Sequence, residues 1–496
     1  MKINSKILKI VTLLYIFLPV ILFFSTWFKW YIRIPLVISI LVCFFLILKG
    51  NKENNFIIPK MGLTVIVIVS LFIIFIAGIG KLSFQASYFP DNVIRNTIYK
   101  NLVFNSWPVE YADNVYLCYY IGQWLVPAFI GKIINFFLHD ESLVYFISNI
   151  LLYLWCAFGI IILYMNIVKY FKAKSNKKVI FIAFSFLLFA GLDVLGALLL
   201  HHNLGDEFLC GFEWWTWTSD VSAGFWQYSS FTSLIFYAFN QTIVPLLITI
   251  LVFDNNYRKN SILLIIIGLL FGPYPMLGLT GYMFFKEICY SIINKTITNI
   301  IKYISVQNIV SILIFLPVLI LYFYSNSKVL NPYDFSIHHN EVSIYTYILF
   351  ITFEFALYIL AILKTNLKWN INLIILFILL SVIPFTLNPD FVMRVSVPLL
   401  FILWINIIMF LFDNNKKIRK YLLLLLLLIG TLSPIREIKY NLSMLIDQHS
   451  LGSSLEESRL SSMDIYYRNN YISDNKRGVL NKIMSAGDKD EECYYK

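Results

Sequence analysis

Charged and aromatic side chains gather in three polar stretches between long apolar runs. In the first stretch, Asp91 and Arg95 are followed by Glu110 and Asp113. A positioned carboxylate can remove a proton from a reacting hydroxyl group, and an arginine can bind a phosphate through paired hydrogen bonds. Asp91 also stands where a side chain would cap a helix beginning at Asn92, so a catalytic and a structural interpretation both stay open.

The second stretch, residues 201–228, contains no lysine or arginine. Just before it, Asp193 lies inside an apolar run, where an ionisable group is costly unless it is paired or hydrated. Carboxylates, imidazoles and aromatic ring faces suit two tasks, stacking on sugars and holding a divalent cation such as Mg or Mn. The candidates for substrate binding are Asp193, Glu213, Trp214, Trp215 and Tyr228, and those for a metal are His201, His202 and Asp193.

Structural roles for these residues stay open as well. Asp193 can pair with a polar group on a neighbouring helix, such as Asn240 or Gln241, and the tryptophans can form a belt at the membrane interface. Glu354 lies inside another apolar run. It can line the same binding cavity as the candidates of the second stretch, or it can cap a neighbouring helix. His201 and His202 are adjacent and lack the i,i+4 spacing of helical metal ligands, so they do not by themselves define a metal site.

The third stretch is the short turn from Asn388 to Pro398. It contains Asp390 and Arg394, which are four residues apart and would share one face of a helix. Two roles follow for Arg394: an ion pair with Asp390, or binding of the phosphate of an anionic lipid.

The composition predicts an all-α polytopic membrane protein. Of the 496 residues, 59% are hydrophobic and only 14% charged, and the mean hydropathy is +0.74. Apolar runs of about 20 residues are long enough to cross about 30 Å of hydrocarbon, and we expect about 11–13 transmembrane helices. The net charge of +11 is spread over many short loops, which argues against a nucleic-acid partner. The six cysteines are scattered and predict neither a zinc site nor a disulfide framework.

Most of the expected spans can be assigned directly, and two apolar stretches are ambiguous. Residues 115–137 contain Pro127, and residues 261–285 are interrupted at Gly272-Pro273. Counting both as full spans would place the lysines of 169–178 outside, against the positive-inside rule. We therefore predict that both are interfacial or re-entrant. The direct spans are 7–26, 31–48, 62–79, 142–166, 178–200, 229–253, 306–324, 343–363, 369–387, 395–412 and 419–435.

This arrangement predicts a multi-pass protein of the cell membrane with a cytoplasmic N-terminus and an extracytoplasmic C-terminus. Residues 1–437 form the transmembrane domain, and residues 438–496 form a polar tail on the outer side. The outer loops include residues 81–141, with a juxtamembrane or re-entrant helix, and the acidic aromatic loop 201–228. Together, the outer loops are expected to form a cavity.

The order of these parts resembles the lipid-dependent glycosyltransferases of the GT-C fold. The resemblance lies in an acid in the first large outer loop, an amphipathic juxtamembrane stretch, and the segment from Trp107-Pro108 through Tyr119-Tyr120 to Pro127, which is similar to the family's entry into its second helix. The resemblance covers about residues 62–435 and lies in the order of the parts rather than in a diagnostic sequence motif. Many family members have two adjacent acids in this loop, whereas here Asn92 follows Asp91.

The resemblance implies a polyprenyl-phosphate-linked sugar as donor and a glycan, lipid or protein as acceptor. It implies Asp91 as general base, with Glu110 or Asp113 as the next candidates, and a donor phosphate that leaves toward Arg394. Arg95 and Asp390 are further candidates for substrate binding. A divalent cation is an open requirement. The alternatives are an envelope polysaccharide polymerase or ligase, a flippase or transporter for lipid-linked sugars, and a scaffold without catalysis.

Overall fold

The chain is a mostly helical membrane protein. The computed structural model describes residues 2–49, 55–81, 90–112, 114–201, 212–216, 226–294, 303–326, 344–385, 389–413, 417–447, 471–473 and 483–485. Within these ranges, the apolar side chains that stay exposed, such as Ile38, Phe45, Phe72, Phe136 and Phe284, lie on the helix surfaces that would face lipid.

Eighteen helices account for nearly all of the regular structure in these ranges. In chain order they are α1 Ser5–Thr26, α2 Trp30–Lys49, α3 Lys60–Ile76, α4 Pro90–Phe104, α5 Gly122–Leu138, α6 Glu141–Tyr170, α7 Asn176–Leu187, α8 Asp193–His201, α9 Phe231–Ala238, α10 Ile243–Phe253, α11 Ser261–Gly268, α12 Pro273–Asn294, α13 Val306–Tyr324, α14 Ile344–Ile362, α15 Leu367–Val382, α16 Pro389–Phe412, α17 Lys417–Gly430 and α18 Leu432–Asp447.

Seven of the described helical segments are long and apolar enough to cross a membrane: α1, α2, α6, α13, α14, α16 and the continuous stretch Lys417–Ser443. The count rises to eight if α9 and α10, which are bent by 99° at their junction, form one broken span. The multi-pass class is therefore confirmed. The predicted number of spans, 11–13, is higher than this count because several predicted spans are short or interrupted helices in the described ranges.

The predicted span 178–200 shows why such a run is interrupted. Helix α7 ends at Leu187 and α8 begins at Asp193, with Gly191 and Leu192 in the connection. The backbone N–H of Leu192 donates to the carbonyl of Phe353, 2.9 Å away, in a π-helical turn of α14. Because another helix satisfies the freed backbone group, the interruption is tolerated inside an apolar protein.

The two ambiguous stretches are both irregular. Residues 115–117 are paired as strand or bridge, and a short irregular segment then leads into α5, a 17-residue helix that contains Pro127. The predicted break at Gly272-Pro273 is confirmed, since α11 ends at Gly268 and α12 begins at Pro273. Both stretches thus place chain breaks within the helical packing.

Two short antiparallel strand pairs and two short segments of the C-terminal tail complete the described structure. Strand β1 (Lys2–Ile3) pairs with β2 (Phe56–Ile57), and β3 (Glu110–Ala112) pairs with β4 (Val115–Tyr116). In the tail, Ile472 pairs with Leu117, Ser473 with Asn326 and Met484 with Phe28. Helix α18 continues through the predicted domain boundary at residue 437 as far as Asp447.

Candidate functional site

Four carboxyl groups from distant parts of the chain gather in the interior. Asp193 begins α8, Glu213 lies in a short 3-10 turn, Glu354 lies on α14 and Glu437 lies on α18. All four side chains are buried, with Asp193 fully enclosed. We call these four residues the acidic cluster.

Asp193 and Glu354 face each other at its centre. Their carboxyl groups lie within hydrogen-bonding range, and the indole Nε1 of Trp215 donates to Oε1 of Glu354 at 2.9 Å. Among the described residues, neither oxygen of Asp193 nor Oε2 of Glu354 receives a donor in good geometry. Two adjacent carboxyl groups form a hydrogen bond only when one carries a proton, so this arrangement accommodates one proton between them. The predicted pairing of Asp193 with Asn240 or Gln241 is wrong, because neither oxygen of Asp193 has a hydrogen bond to these amides.

Gly191 allows this approach. A Cβ atom at Gly191 would lie 2.1 Å from Oε2 of Glu354, a distance that no side chain can occupy. The sequence Gly191-Leu192-Asp193 therefore has one local function per residue: space for Glu354, a backbone donor to α14, and a carboxyl group.

Glu213 is the member of the cluster that lies in a loop. Its Oε1 accepts hydrogen bonds from the backbone N–H of Ser230 at 2.9 Å and the hydroxyl of Ser233 at 2.7 Å. Burial, followed by the negative charges of Asp193 and Glu437, raises the pKa of Glu213 to about 8, and the hydrogen bonds from the two serines oppose the shift.

Glu437 was missed by the sequence analysis, which ended the last span at residue 435. Its Oε2 accepts from the hydroxyl of Tyr237 at 3.0 Å. A usable signal existed: Ser433, Glu437 and Asn441 recur every four residues and are all buried on one face of α18.

The second feature is an arginine site formed by Arg394 and Arg95 with Tyr119 and Tyr120. On α16, Nη2 of Arg394 lies 3.2 Å from Oδ2 of Asp390, which bears out the predicted i,i+4 pair. Nη1 donates to the hydroxyl of Tyr120 at 3.0 Å. Among the described residues, Nε of Arg394 has no partner although it is buried.

Arg95, on α4, acts on one of these tyrosines, Tyr119. The positive charges of Arg95 and Arg394 both act on the hydroxyl of Tyr119, whose ring centre lies 3.7 Å from that of Tyr120. Arg95 also lines a void of about 10 Å³, room for one water molecule, with Trp124 and Phe239. Two arginines predicted from separate stretches are thus brought to one site.

The three base candidates have different surroundings. Asp91 is the second residue of α4, which begins at Pro90, so it lies inside the helix rather than before it. Its side chain lies outside the described part of the chain, as does all of Asp113. Glu110 is buried in β3, and its Oε1 accepts from the backbone N–H of Asn114 at 3.1 Å.

Two of the aromatic candidates, Trp215 and Tyr228, are enclosed by protein. Trp215 packs over Gly196 and binds Glu354, and the hydroxyl of Tyr228 donates to the carbonyl of Leu380 at 2.5 Å. Their predicted contact with a sugar is untested and stays a prediction. The side chain of Trp214 lies outside the described residues.

The predicted metal ligands are only partly described. The side chain of His201 and all of His202 lie outside the described part of the chain. Within the described ranges, no group of three or more His, Cys, Asp and Glu side chains has the arrangement of a metal site. Asp193, the remaining candidate, lies against Glu354.

Comparison of the chain with protein-family models, with curated proteins and with solved structures finds no match.

Proposed function

We propose that the protein is a membrane glycosyltransferase that moves a sugar from a polyprenyl-phosphate donor to an envelope glycan, lipid or protein acceptor. The observation that carries the proposal is the arginine site. Arg394 is held in place by Asp390 and Tyr120 and keeps one buried N–H donor without a partner among the described residues. A phosphate oxygen is the natural acceptor for this donor, and Arg95 adds a second positive charge nearby.

An apolar groove supports a lipid-linked donor. It has a volume of about 420 Å³ between α3, α5 and α6, and its walls include Leu71, Pro127, Trp155 and Phe158. The groove begins within one turn of Trp124, which lines the void beside Arg95. A phosphate at the two arginines would leave its prenyl chain next to this groove.

The reaction needs a base, a positioned acceptor and a stabilised leaving group. The carboxylate of Asp91 takes the proton of an acceptor hydroxyl as its oxygen bonds to the anomeric carbon. The bond from that carbon to the phosphate oxygen breaks, and polyprenyl phosphate leaves with the electron pair toward Arg394. General base catalysis contributes about 10²–10⁴-fold, and charge stabilisation by the arginines adds to it.

Asp91 is favoured over Glu110 by its place in the fold. Asp91 lies one helical turn before Arg95 on α4, so the backbone places both residues on one face of that helix. Glu110 is instead buried and engaged with the backbone of Asn114.

The test is mass spectrometry of lipid-linked sugars and envelope glycans in cells lacking the protein, restored with the native chain, Asp91→Asn or Arg394→Gln. We expect a polyprenyl-phosphate sugar to accumulate and a glycan to lose one residue in the deletion strain and with both variants. Arg419→Gln is the matched control, because the guanidinium of Arg419 is exposed and donates to the carbonyl of Leu363. If Asp91→Asn restores the glycan, Asp91 is not the general base.

A proton-coupled flippase for lipid-linked sugars is the second candidate, and the Asp193–Glu354 pair favours it. A buried carboxyl pair able to hold one proton is typical of proton relays in transporters. If the donor accumulates only on the cytoplasmic side of the membrane in the deletion strain, and Glu354→Gln fails to restore the glycan, this candidate replaces the transferase.

A further inference from the structure

Three interruptions of the helical backbone meet at one place. The first lies before α5, the second between α9 and α10, and the third between α11 and α12. The backbone N–H of Gly122 donates to the carbonyl of Leu270 at 3.2 Å, which joins the first and third. A Cβ atom at Gly272 would lie 3.4 Å from the Cα of Gln241, which joins the third and second. We call this place the break junction.

The break junction contains side-chain amides that the protein does not satisfy. Asn240 and Gln241 lie in the turn between α9 and α10 and are 0% and 1% exposed. Among the described residues, neither the nitrogen nor the oxygen of either amide has a hydrogen-bond partner. Oε1 of the fully buried Gln123, next to Gly122, is also without one. Buried polar groups are nearly always paired, so five unpaired atoms at one junction require an explanation.

The arginine site adjoins the break junction on two sides. Tyr120, which binds Arg394, lies two residues before Gly122. Tyr274, two residues after Gly272, packs its ring against Phe391 of α16 and lies within electrostatic range of Arg394. A ligand whose phosphate contacts Arg394 would therefore extend its next group toward the amides.

The chemistry of the amides selects the ligand class. Each amide offers both donors and an acceptor, which matches the donor and acceptor properties of a sugar hydroxyl group. Asparagine and glutamine carry no charge, so they would bind a neutral sugar. They would not neutralise the negative charge of an acidic sugar. Irregular backbone inside a membrane protein is tolerated where it lines such a polar site.

We propose that Asn240 and Gln241 form the sugar subsite, binding the hydroxyl groups of an uncharged hexose whose phosphate lies at Arg394. This inference rests on the proposed function, because it takes the lipid-linked sugar phosphate as the ligand. Asn240 and Gln241 act as specificity residues, and Arg394 supplies the affinity for phosphate.

The test is direct binding to the full-length protein in lipid nanodiscs, with farnesyl phosphate and farnesyl-phosphoryl glucose, galactose and mannose as probes. We expect the native protein to bind at least one hexose-linked probe more tightly than farnesyl phosphate alone. Asn240→Leu and Gln241→Met should each remove about tenfold of that difference, the loss of one or two hydrogen bonds. Both variants should bind farnesyl phosphate as the native protein does.

Two further variants make the outcome decisive. Asn406→Leu removes a buried amide of α16 that is hydrogen-bonded within its own helix at 2.7 Å, and it should leave the preference for the hexose unchanged. Arg394→Gln should weaken binding of every probe. Thermal stability provides a second readout: because the amides of Asn240 and Gln241 have no partner among the described residues, their variants should melt no lower than the native protein.

The inference fails in two recognisable ways. If the hexose-linked probes bind no more tightly than farnesyl phosphate, the sugar subsite is wrong while the phosphate site stands. If Asn240→Leu weakens both kinds of probe equally and lowers the melting temperature, the amide has a structural role. Absence of binding by any probe overturns the proposed function and this inference with it.

Discussion

Glu213 combines hydrogen bonding with an unfavourable electrostatic environment. The backbone N–H of Ser230 and the hydroxyl of Ser233 fix the position of its carboxyl group, while burial and two neighbouring acids favour its protonated form. The proton that it holds is therefore part of the folded structure.

A pH dependence of stability follows for Glu213. Its pKa is about 8 in the folded protein, against an ordinary value of 4.5. The folded state thus binds more protons than the unfolded state between these values, and stability falls as pH rises through that window. The contribution is on the order of a few kcal/mol. We expect the melting temperature of Glu213→Gln to fall less between pH 5 and pH 8, about the limits of this window, than that of the native protein.

The control for this measurement is Glu141→Gln, which changes an exposed acid in the first turn of α6. Its melting temperature should follow that of the native protein at every pH. Equal slopes for the Glu213 and Glu141 variants would contradict a raised pKa.

Gly191 tests the approach of Glu354. Gly191→Ala places a methyl group 2.1 Å from Oε2 of Glu354, and we expect it to lower the free energy of unfolding by about 1–3 kcal/mol. Gly281→Ala on α12 is the matched control, because no atom lies within 4 Å of its Cβ position. It should leave stability unchanged or raise it by up to about 1 kcal/mol through helix propensity. Chemical unfolding in mixed micelles measures both, and equal effects would argue against the packing of Gly191 on Glu354.

Among the helices, the interrupted ones determine where polar groups can lie. Helix α5 starts against the break between α11 and α12, and the turn between α9 and α10 lies beside it. Each interruption frees backbone groups that would be costly in lipid, so neighbouring elements must pack closely enough to satisfy them. Gly122 provides the closest approach, because Phe271 occupies the space that a side chain would need.

This contact predicts a measurable coupling between α5 and the third break. A Cβ atom at residue 122 would lie 2.8 Å from Cδ1 of Phe271, so Gly122→Ala should destabilise the protein by about 1–3 kcal/mol. In a background that carries Phe271→Leu, Gly122→Ala should destabilise the protein less, with a coupling energy of about 1 kcal/mol between the two substitutions. The same cycle with Phe284→Leu, at a ring that is 61% exposed, should show additivity. Additivity in both cycles would mean that the two breaks are not in contact.

The C-terminal tail joins distant parts of the folded chain. The carbonyl of Tyr471 accepts from the backbone N–H of Cys118, and the N–H of Ser473 donates to the carbonyl of Tyr116, each at 2.8 Å. Ser485 donates to the carbonyl of Trp27 at 3.0 Å. The described tail residues therefore lie at the end of α1 and beside the segment that leads into α5.

These contacts place residues 471–473 and 483–485 on the side of the membrane that Trp27 reaches. With a cytoplasmic N-terminus, as the positive-inside rule predicts, this is the outer side. We expect a protease added to intact cells to remove an epitope tag fused after Lys496, and a maleimide that does not cross membranes to leave a cysteine at Lys172 unlabelled. A tag that becomes accessible only after lysis would reverse the orientation.

Composition and local spacing determined the properties that depend on neighbours along the chain. Hydropathy was sufficient to predict the membrane class, and the Gly272-Pro273 dipeptide was sufficient to predict the break before α12. The four-residue spacing of Asp390 and Arg394 was sufficient to predict their ion pair. Each of these is set by the solvent preference of a segment or by the geometry of one helix.

Only the tertiary structure decided which distant residues meet. Glu354 is separated from Asp193 by most of the central helices, and Tyr120 reaches Arg394 across a gap of 274 positions. Periodicity shows which face of a helix is polar, but packing alone selects the helix that this face contacts. The acidic cluster, the arginine site and the break junction all arise from such contacts, because a buried polar group is stabilised by whichever partner the fold brings to it.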